Sequence, residues 1–227
     1  MKLPLLLTNF KVYEKSTGLS AVSLAKIHDE VAKETGASIA IAVNTADLKE
    51  VIAAVSIPVF CQHIDPVDFG AKTGWIPPKL VKNLGVTGTL LNHSEHQIPD
   101  DVLQKSIEAA HAAGLFVVAC ANTPEKGAQI MKFGPDLIAV EPPELIGGDI
   151  SVSKAKPDVI KNSVSLIGND KVLVGAGVKN GEDVRIALEL GAKGILVASG
   201  VTNAADPKKA ILDLIAPFNT PGKAPNN

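Results

Sequence analysis

The feature that most restricts the fold is an alternation repeated eight times: a short aliphatic run, then a segment whose apolar residues recur with the period of a helix. The runs occupy residues 5–10, 38–43, 59–62, 88–92, 116–120, 137–140, 172–175 and 194–198. The helix-period segments are 19–33, 46–55, 79–84, 101–113, 125–133, 157–167, 182–190 and 207–216. Local punctuation agrees with this division. Thr123-Pro124 and Asp206-Pro207 each put a capping residue before a proline at a first helical position. Gly85, Gly114, Gly134, Gly168 and Gly191 stand where helices would stop. Eight strand-helix units predict a closed (β/α)8 barrel ahead of an open doubly wound α/β sheet.

A dinucleotide-binding open sheet would carry GxGxxG after its first strand; the first run leads instead into Asn9-Phe10-Lys11-Val12-Tyr13. No Pro/Ser-rich linker divides the chain. Residues 1–219 are therefore expected to form one barrel domain, with 220–227, which hold two prolines and a glycine, as a frayed tail. Hydrophobic residues make up 46% of the chain and aromatics only 4%, so Val, Ile, Leu and Ala must build the interior. That suits parallel strands buried on both faces.

The net charge of −2 comes without a long run of either sign, which argues against nucleic acid or an acidic membrane as a partner. An anionic ligand would have to be held locally, by backbone amides and one or two lysines. Cys61 and Cys120 each sit in an apolar run and are read as buried free thiols of a reducing cytoplasm. The apolar stretch at residues 3–7 is too short for a signal peptide and runs straight into Asn9, and no run reaches membrane-span length. The expected location is the cytoplasm.

In a parallel barrel, reactive groups come from strand C-termini and the loops after them. The first run ends in Asn9 and Lys11, whose spacing of two puts both side chains on one side of a strand. A lysine there can equally be solvated, but beside an inward Asn it can face an anion. The fourth run ends in Asn92-His93-Ser94-Glu95-His96; His93 is a candidate for chemistry, and Glu95 shares its parity and could orient neighbours. The sixth run stops at Glu141. A carboxylate closing an apolar strand sits partly desolvated, which makes it a stronger base; a salt-bridged strand cap is the plainer reading. Pro142-Pro143-Glu144-Leu145-Ile146-Gly147-Gly148 follows, with a stiff start, an apolar tip and a Gly-Gly end, the composition of a hinged lid. The last two runs end in Gly175-Ala176-Gly177 and Ala198-Ser199-Gly200, whose small residues would let N–H groups approach an anion.

With these residues placed, the sequence resembles the triosephosphate isomerase family, in its shorter archaeal form, over nearly its whole length. Asn9-Phe10-Lys11 matches the family's first-strand Asn-x-Lys, Asn92-His93-Ser94-Glu95 its His-Ser-Glu element, and Glu141 through Gly147 its catalytic Glu with a mobile loop. Cys120 falls at the family's fifth-strand Cys, and Gly70-Ala71-Lys72-Thr73-Gly74 resembles the loop that inserts into a neighbouring subunit. The resemblance implies the TIM-barrel fold and an aldose-ketose isomerase of glycolysis and gluconeogenesis, acting through an enediolate on a small phosphorylated three-carbon substrate. It implies Glu141 as the base, neutral His93 as the electrophile, and Lys11 stabilising negative charge beside Asn9. Ile146, Gly147, Gly177, Ala198 and Ser199 would contact substrate, with no metal or other cofactor. It also implies a homo-oligomer, a tetramer with a dimer as the alternative.

The sequence departs from the family in three places. The seventh-strand tyrosine and serine are Val174 and Gly177, the eighth-strand Gly-Gly is Ala198-Ser199, and the lid tryptophan is replaced within 143–145. Backbone contacts to phosphate survive these changes; side-chain contacts to a closed lid do not. The rival readings are a metal-dependent pentose-phosphate epimerase, suggested by His63 and Asp65, and a non-catalytic phosphate-binding barrel, which would need neither Glu141 nor a lid.

Overall fold

The computed structural model describes residues 1–142 and 157–219. Its eight strands are β1 (Leu5–Asn9), β2 (Ser38–Val43), β3 (Val59–Cys61), β4 (Gly88–Leu91), β5 (Phe116–Ala121), β6 (Leu137–Val140), β7 (Val172–Val174) and β8 (Gly194–Val197). They close in sequence order into one barrel, and every pairing is parallel, from Leu5 opposite Ser38 round to Leu5 opposite Gly194. The helices are α1 (Leu19–Thr35), α2 (Leu48–Ala54), α3 (Pro78–Asn83), α4 (Asp100–Ala112), α5 (Pro124–Met131), α6 (Pro157–Ile167), α7 (Gly181–Glu189), α8 (Ser199–Thr202) and α9 (Pro207–Ile215). Among the described residues no helix is long and apolar enough to cross a membrane.

The boundaries follow from local chemistry. Thr123 and Asp206 accept from the N–H groups of Lys126 and Lys209, at 3.1 and 3.0 Å, so each caps the helix that its following proline begins. All five stop glycines adopt positive φ, the left-handed conformation that ends a helix without steric cost. The strands and helices fall within two residues of the predicted limits. The exception is α8, unforeseen because four residues are too few to show a period.

Strand alternation sorts the core into an inside and an outside. Leu5 and Leu7, Ala40 and Ala42, Phe60, Leu90, Val118 and Cys120, Leu137 and Ala139, Leu173 and Leu196 form one buried cluster, which fills the barrel. Their neighbours, such as Leu6, Ile41, Val117 and Ile138, pack against the helices in two further clusters. Burying each Val, Leu, Ile or Phe side chain among them stabilises the fold by about 1.5–3 kcal/mol. The one aromatic ring deep inside needs a gap: a Cβ on Gly88 would lie 2.4 Å from the Phe60 ring. Gly88→Ala would therefore force the Phe60 ring to move and damage this layer. Two residues beyond the last inward apolar side chain on their strands come Asn9, Gln62, Glu141, Gly175 and Ala198. The fold thus delivers these positions to one mouth.

Candidate active site

Glu141 follows the last residue of β6 and is only 4% exposed. Its N–H donates to the Ala121 carbonyl at 2.8 Å, which continues the β5–β6 ladder and fixes where the side chain departs. One carboxylate oxygen, Oε2, is buried with no hydrogen-bond partner among the described residues. Such an atom costs stability and calls for a functional explanation. The opposite wall is shaped to the side chain. A Cβ on Gly175 would lie 2.4 Å from Glu141 Cγ, so β7 must end in glycine for Glu141 to sit as it does. Cys120, buried on β5, has its thiol pushed well up by burial and then by the Glu141 charge, so it stays protonated.

His93 reaches the same place by a turn. Asn92 adopts φ 58°, a left-handed conformation that Asn tolerates better than most residues. Its side chain spans the bend, donating to the Cys120 carbonyl at 3.0 Å and accepting from Ile98 N–H at 3.1 Å. The imidazole is buried, with Nε2 3.4 Å from Glu141 Oε1. Its other nitrogen, Nδ1, accepts the Glu95 N–H at 3.2 Å. An accepting Nδ1 puts the proton of a neutral imidazole on Nε2, the nitrogen facing the mouth. The Glu95 carboxylate is farther from Nδ1, at 3.7 Å, so the backbone contact decides the tautomer.

Lys11 lies beyond β1, in a left-handed conformation (φ 50°) that costs a side-chain-bearing residue about 1 kcal/mol. This corrects the expectation that Lys11 shares strand parity with Asn9. Asn9 holds the bend by accepting Lys11 N–H at 2.9 Å, and Gln62 donates to both Asn9 Oδ1 and Lys11 O, at 3.2 and 2.9 Å. The Lys11 ammonium pairs with Glu95 at 2.6 Å. Burial opposes its charge, but the Glu95 carboxylate outweighs that and raises its pKa above the usual value. The parity argument fails for Glu95 too, since residues 93–96 form a turn rather than a strand.

These groups line one cavity of about 240 Å³ together with Gly177, Ala198, Ser199 and Gly200. Gly177 has φ 70°, which only glycine adopts freely. Ser199 and Gly200 begin α8, and the first N–H groups of a helix have no intrahelical acceptor. One side of the cavity therefore offers a base, an imidazole N–H and an ammonium; the other offers backbone N–H groups of the kind that bind phosphate.

Asn9, Lys11, His93, Glu141, Gly177, Ala198 and Ser199 thus come together around one cavity. Ile146, Gly147 and the expected lid lie outside the described residues, as does the 220–227 tail. His63 and Asp65 bond to each other at 3.3 Å, while the second Asp65 oxygen takes Ile76 N–H at 2.7 Å. That pair closes the base of the 66–76 loop. Sequence reasoning gave no role to Gln62 or Lys179, and read Gly175 only as one of the small residues that let N–H groups approach an anion. Gln62 carried the signal that exposed Glu141, a polar residue closing an apolar strand. The demand on Gly175 comes from across the sheet and leaves no local trace.

The family model described as triosephosphate isomerase matches residues 4–217. The triosephosphate isomerase of Methanobacterium bryantii is 43% identical over 217 residues, covering 94% of this chain and 96% of that protein. Those of Methanosarcina acetivorans and Pyrobaculum calidifontis are 44% and 42% identical, covering 93% and 98% of this chain and 97% and 99% of their own. The crystal structure of triosephosphate isomerase from Bartonella henselae superposes with a TM-score of 0.73 over 92% of this chain and 98% of its own. At 18% identity that likeness speaks to the fold alone.

Proposed function

The chain belongs to the triosephosphate isomerase family, and we propose that Glu141, His93 and Lys11 carry the family's reaction in this cavity. It interconverts dihydroxyacetone phosphate and D-glyceraldehyde 3-phosphate. In this reading Glu141 removes the proton from the hydroxymethyl carbon of dihydroxyacetone phosphate, leaving an enediolate. The proton returns to the neighbouring carbon while His93 moves a proton between the two oxygens. The imidazole donates from Nε2 to the carbonyl oxygen as negative charge develops there, and Lys11 stabilises the same charge. This division of labour is the one for which the family is itself the standard example. The N–H groups of Gly177, Ser199 and Gly200 would anchor the phosphate, so that the reacting carbons stand between Glu141 and His93.

The observation that carries the reading is the approach of His93 Nε2 to Glu141 Oε1, at 3.4 Å, at a cavity also lined by the small residues Gly177, Ala198, Ser199 and Gly200. A phosphate sensor has no use for a carboxylate buried beside the anion it holds. The test is a coupled isomerase assay on purified, chelator-treated protein with D-glyceraldehyde 3-phosphate. Wild type should turn over without added metal, and His93→Gln should lose about 10²-fold or more in kcat. Wild type that needs a divalent cation, or does not turn over, sinks the reading.

Residues 1–219 act as one unit here, and buried free Cys61 and Cys120 fit a reducing cytoplasm. A homo-oligomer, tetrameric or else dimeric, would cover the exposed Phe69 and Trp75 of the loop closed by Asp65 and Ile76. Light scattering should return a multiple of the chain mass; a monomer rejects this assembly.

A further inference from the structure

Resting on that reading, we infer that Lys179 is a further specificity-determining residue, the cation that fits this site to a doubly charged phosphate ester. Lys11, the cation beside the reacting groups, shares its charge with Glu95 at 2.6 Å, and the Glu141 carboxylate faces the same cavity, so a doubly charged anion calls for a further cation. Lys179 is the remaining charged residue of the described lining. Lys179 is exposed, and among the described residues no salt bridge holds its ammonium, which leaves it available to a ligand.

Its backbone, by contrast, is fixed. Lys179 N–H donates to Asp183 Oδ2 at 2.9 Å, and Asn180 Oδ1 caps α7 by accepting Asp183 N–H at 3.1 Å. These two bonds hold residue 179 between Gly177, which lines the cavity, and the start of α7. The position also answers the departures from the family pattern. Gly177 has no hydroxyl to offer the ligand; two residues on, Lys179 supplies a charge. A long exposed side chain ending in a point charge suits a phosphate that must enter and leave at each turnover.

The experiment compares wild type, Lys179→Met and Lys179→Arg. Titration calorimetry with inorganic phosphate reads the anion site without turnover, and kinetics with D-glyceraldehyde 3-phosphate read KM and kcat. Lys179→Met should weaken phosphate binding and raise KM by about 5- to 20-fold, with the loss in KM rather than kcat. Its kcat/KM should also depend less on ionic strength, because the entering dianion is no longer attracted. Lys179→Arg should restore most of both. Unchanged phosphate affinity, KM and salt dependence in Lys179→Met would overturn the inference while leaving wild-type isomerisation intact. Loss of wild-type turnover with phosphate binding still sensitive to Lys179 would instead overturn only the reading beneath it.

Discussion

The two halves of the barrel mouth work by different means. At the ends of β1, β4 and β6 the useful groups are side chains, and each is held by several contacts: Asn9 and Gln62 around Lys11, Asn92 and Glu95 N–H around His93, Gly175 against Glu141. At the ends of β7 and β8 the strand-end side chains are small, and the groups proposed to hold phosphate are backbone N–H, with the Lys179 ammonium beyond them. Moving a proton requires a particular acid or base at a particular spot, whereas binding phosphate requires donors that any residue carries. The first half should be intolerant of change. Lys179 apart, the second should tolerate substitutions that keep its backbone, and departures such as Ala198-Ser199 for the family's Gly-Gly fall there.

The sharpest way to break this contrast is Glu141→Asp, which keeps the charge and withdraws it by one methylene. A base that must sit within a fraction of an ångström of its proton should lose about 10³-fold in kcat, with KM little changed. A loss of less than tenfold would mean that placement on the side-chain half matters no more than on the other.

The second test concerns the wall beneath that half. His28, fully buried on α1, donates from Nδ1 to Leu24 O at 2.8 Å and accepts at Nε2 from Thr8 on β1 at 3.0 Å. Burial lowers its pKa from 6.5 to about 4. Between those values the unfolded chain binds a proton that the folded chain refuses. Stability is therefore complete above about pH 6.5 and declines as pH falls toward 4, by about 3 kcal/mol. Denaturant titrations at pH 7 and pH 4.5 should show this decline, and His28→Gln should remove most of the dependence. An unaltered pH profile in that variant would assign the acid sensitivity elsewhere.

Third, Gly175→Ala should displace the Glu141 side chain while leaving every reacting group chemically intact. The expected loss in kcat is about 10- to 100-fold, with inorganic phosphate affinity retained because the cradle is unaltered. Wild-type kcat would show that Glu141 does not need the gap. The smallest effect belongs to Ser199→Ala, which removes a hydroxyl and keeps the N–H. A change in KM beyond about threefold would mean that the β8 end also works through its side chain.

Much of this contrast was legible in the sequence. Asn9 and Glu141 extend inward alternations begun by Leu5, Leu7, Leu137 and Ala139, so parity alone aimed them at the mouth. His93 and Lys11 also line the cavity, but strand parity does not bring them there. Each depends on a left-handed residue, Asn92 or Lys11 itself, which a pattern of apolar spacing cannot show. Contacts distant in sequence were the hardest to see: Lys11 and Glu95 are 84 residues apart, and Gly175 meets Glu141 only once β6 and β7 are side by side. The backbone half gave the weakest signal because Gly and Ala at a strand end also make ordinary turns.

The claim on which the rest depends is that a single carboxylate exchanges a carbon-bound hydrogen of a substrate also held by His93. Dihydroxyacetone phosphate incubated with wild type in D2O should acquire one carbon-bound deuterium, followed by proton NMR, at a rate that His93→Gln slows. In Glu141→Ala the exchange should fall to the rate without enzyme while inorganic phosphate still binds. Deuterium entering at the wild-type rate in Glu141→Ala would contradict the account.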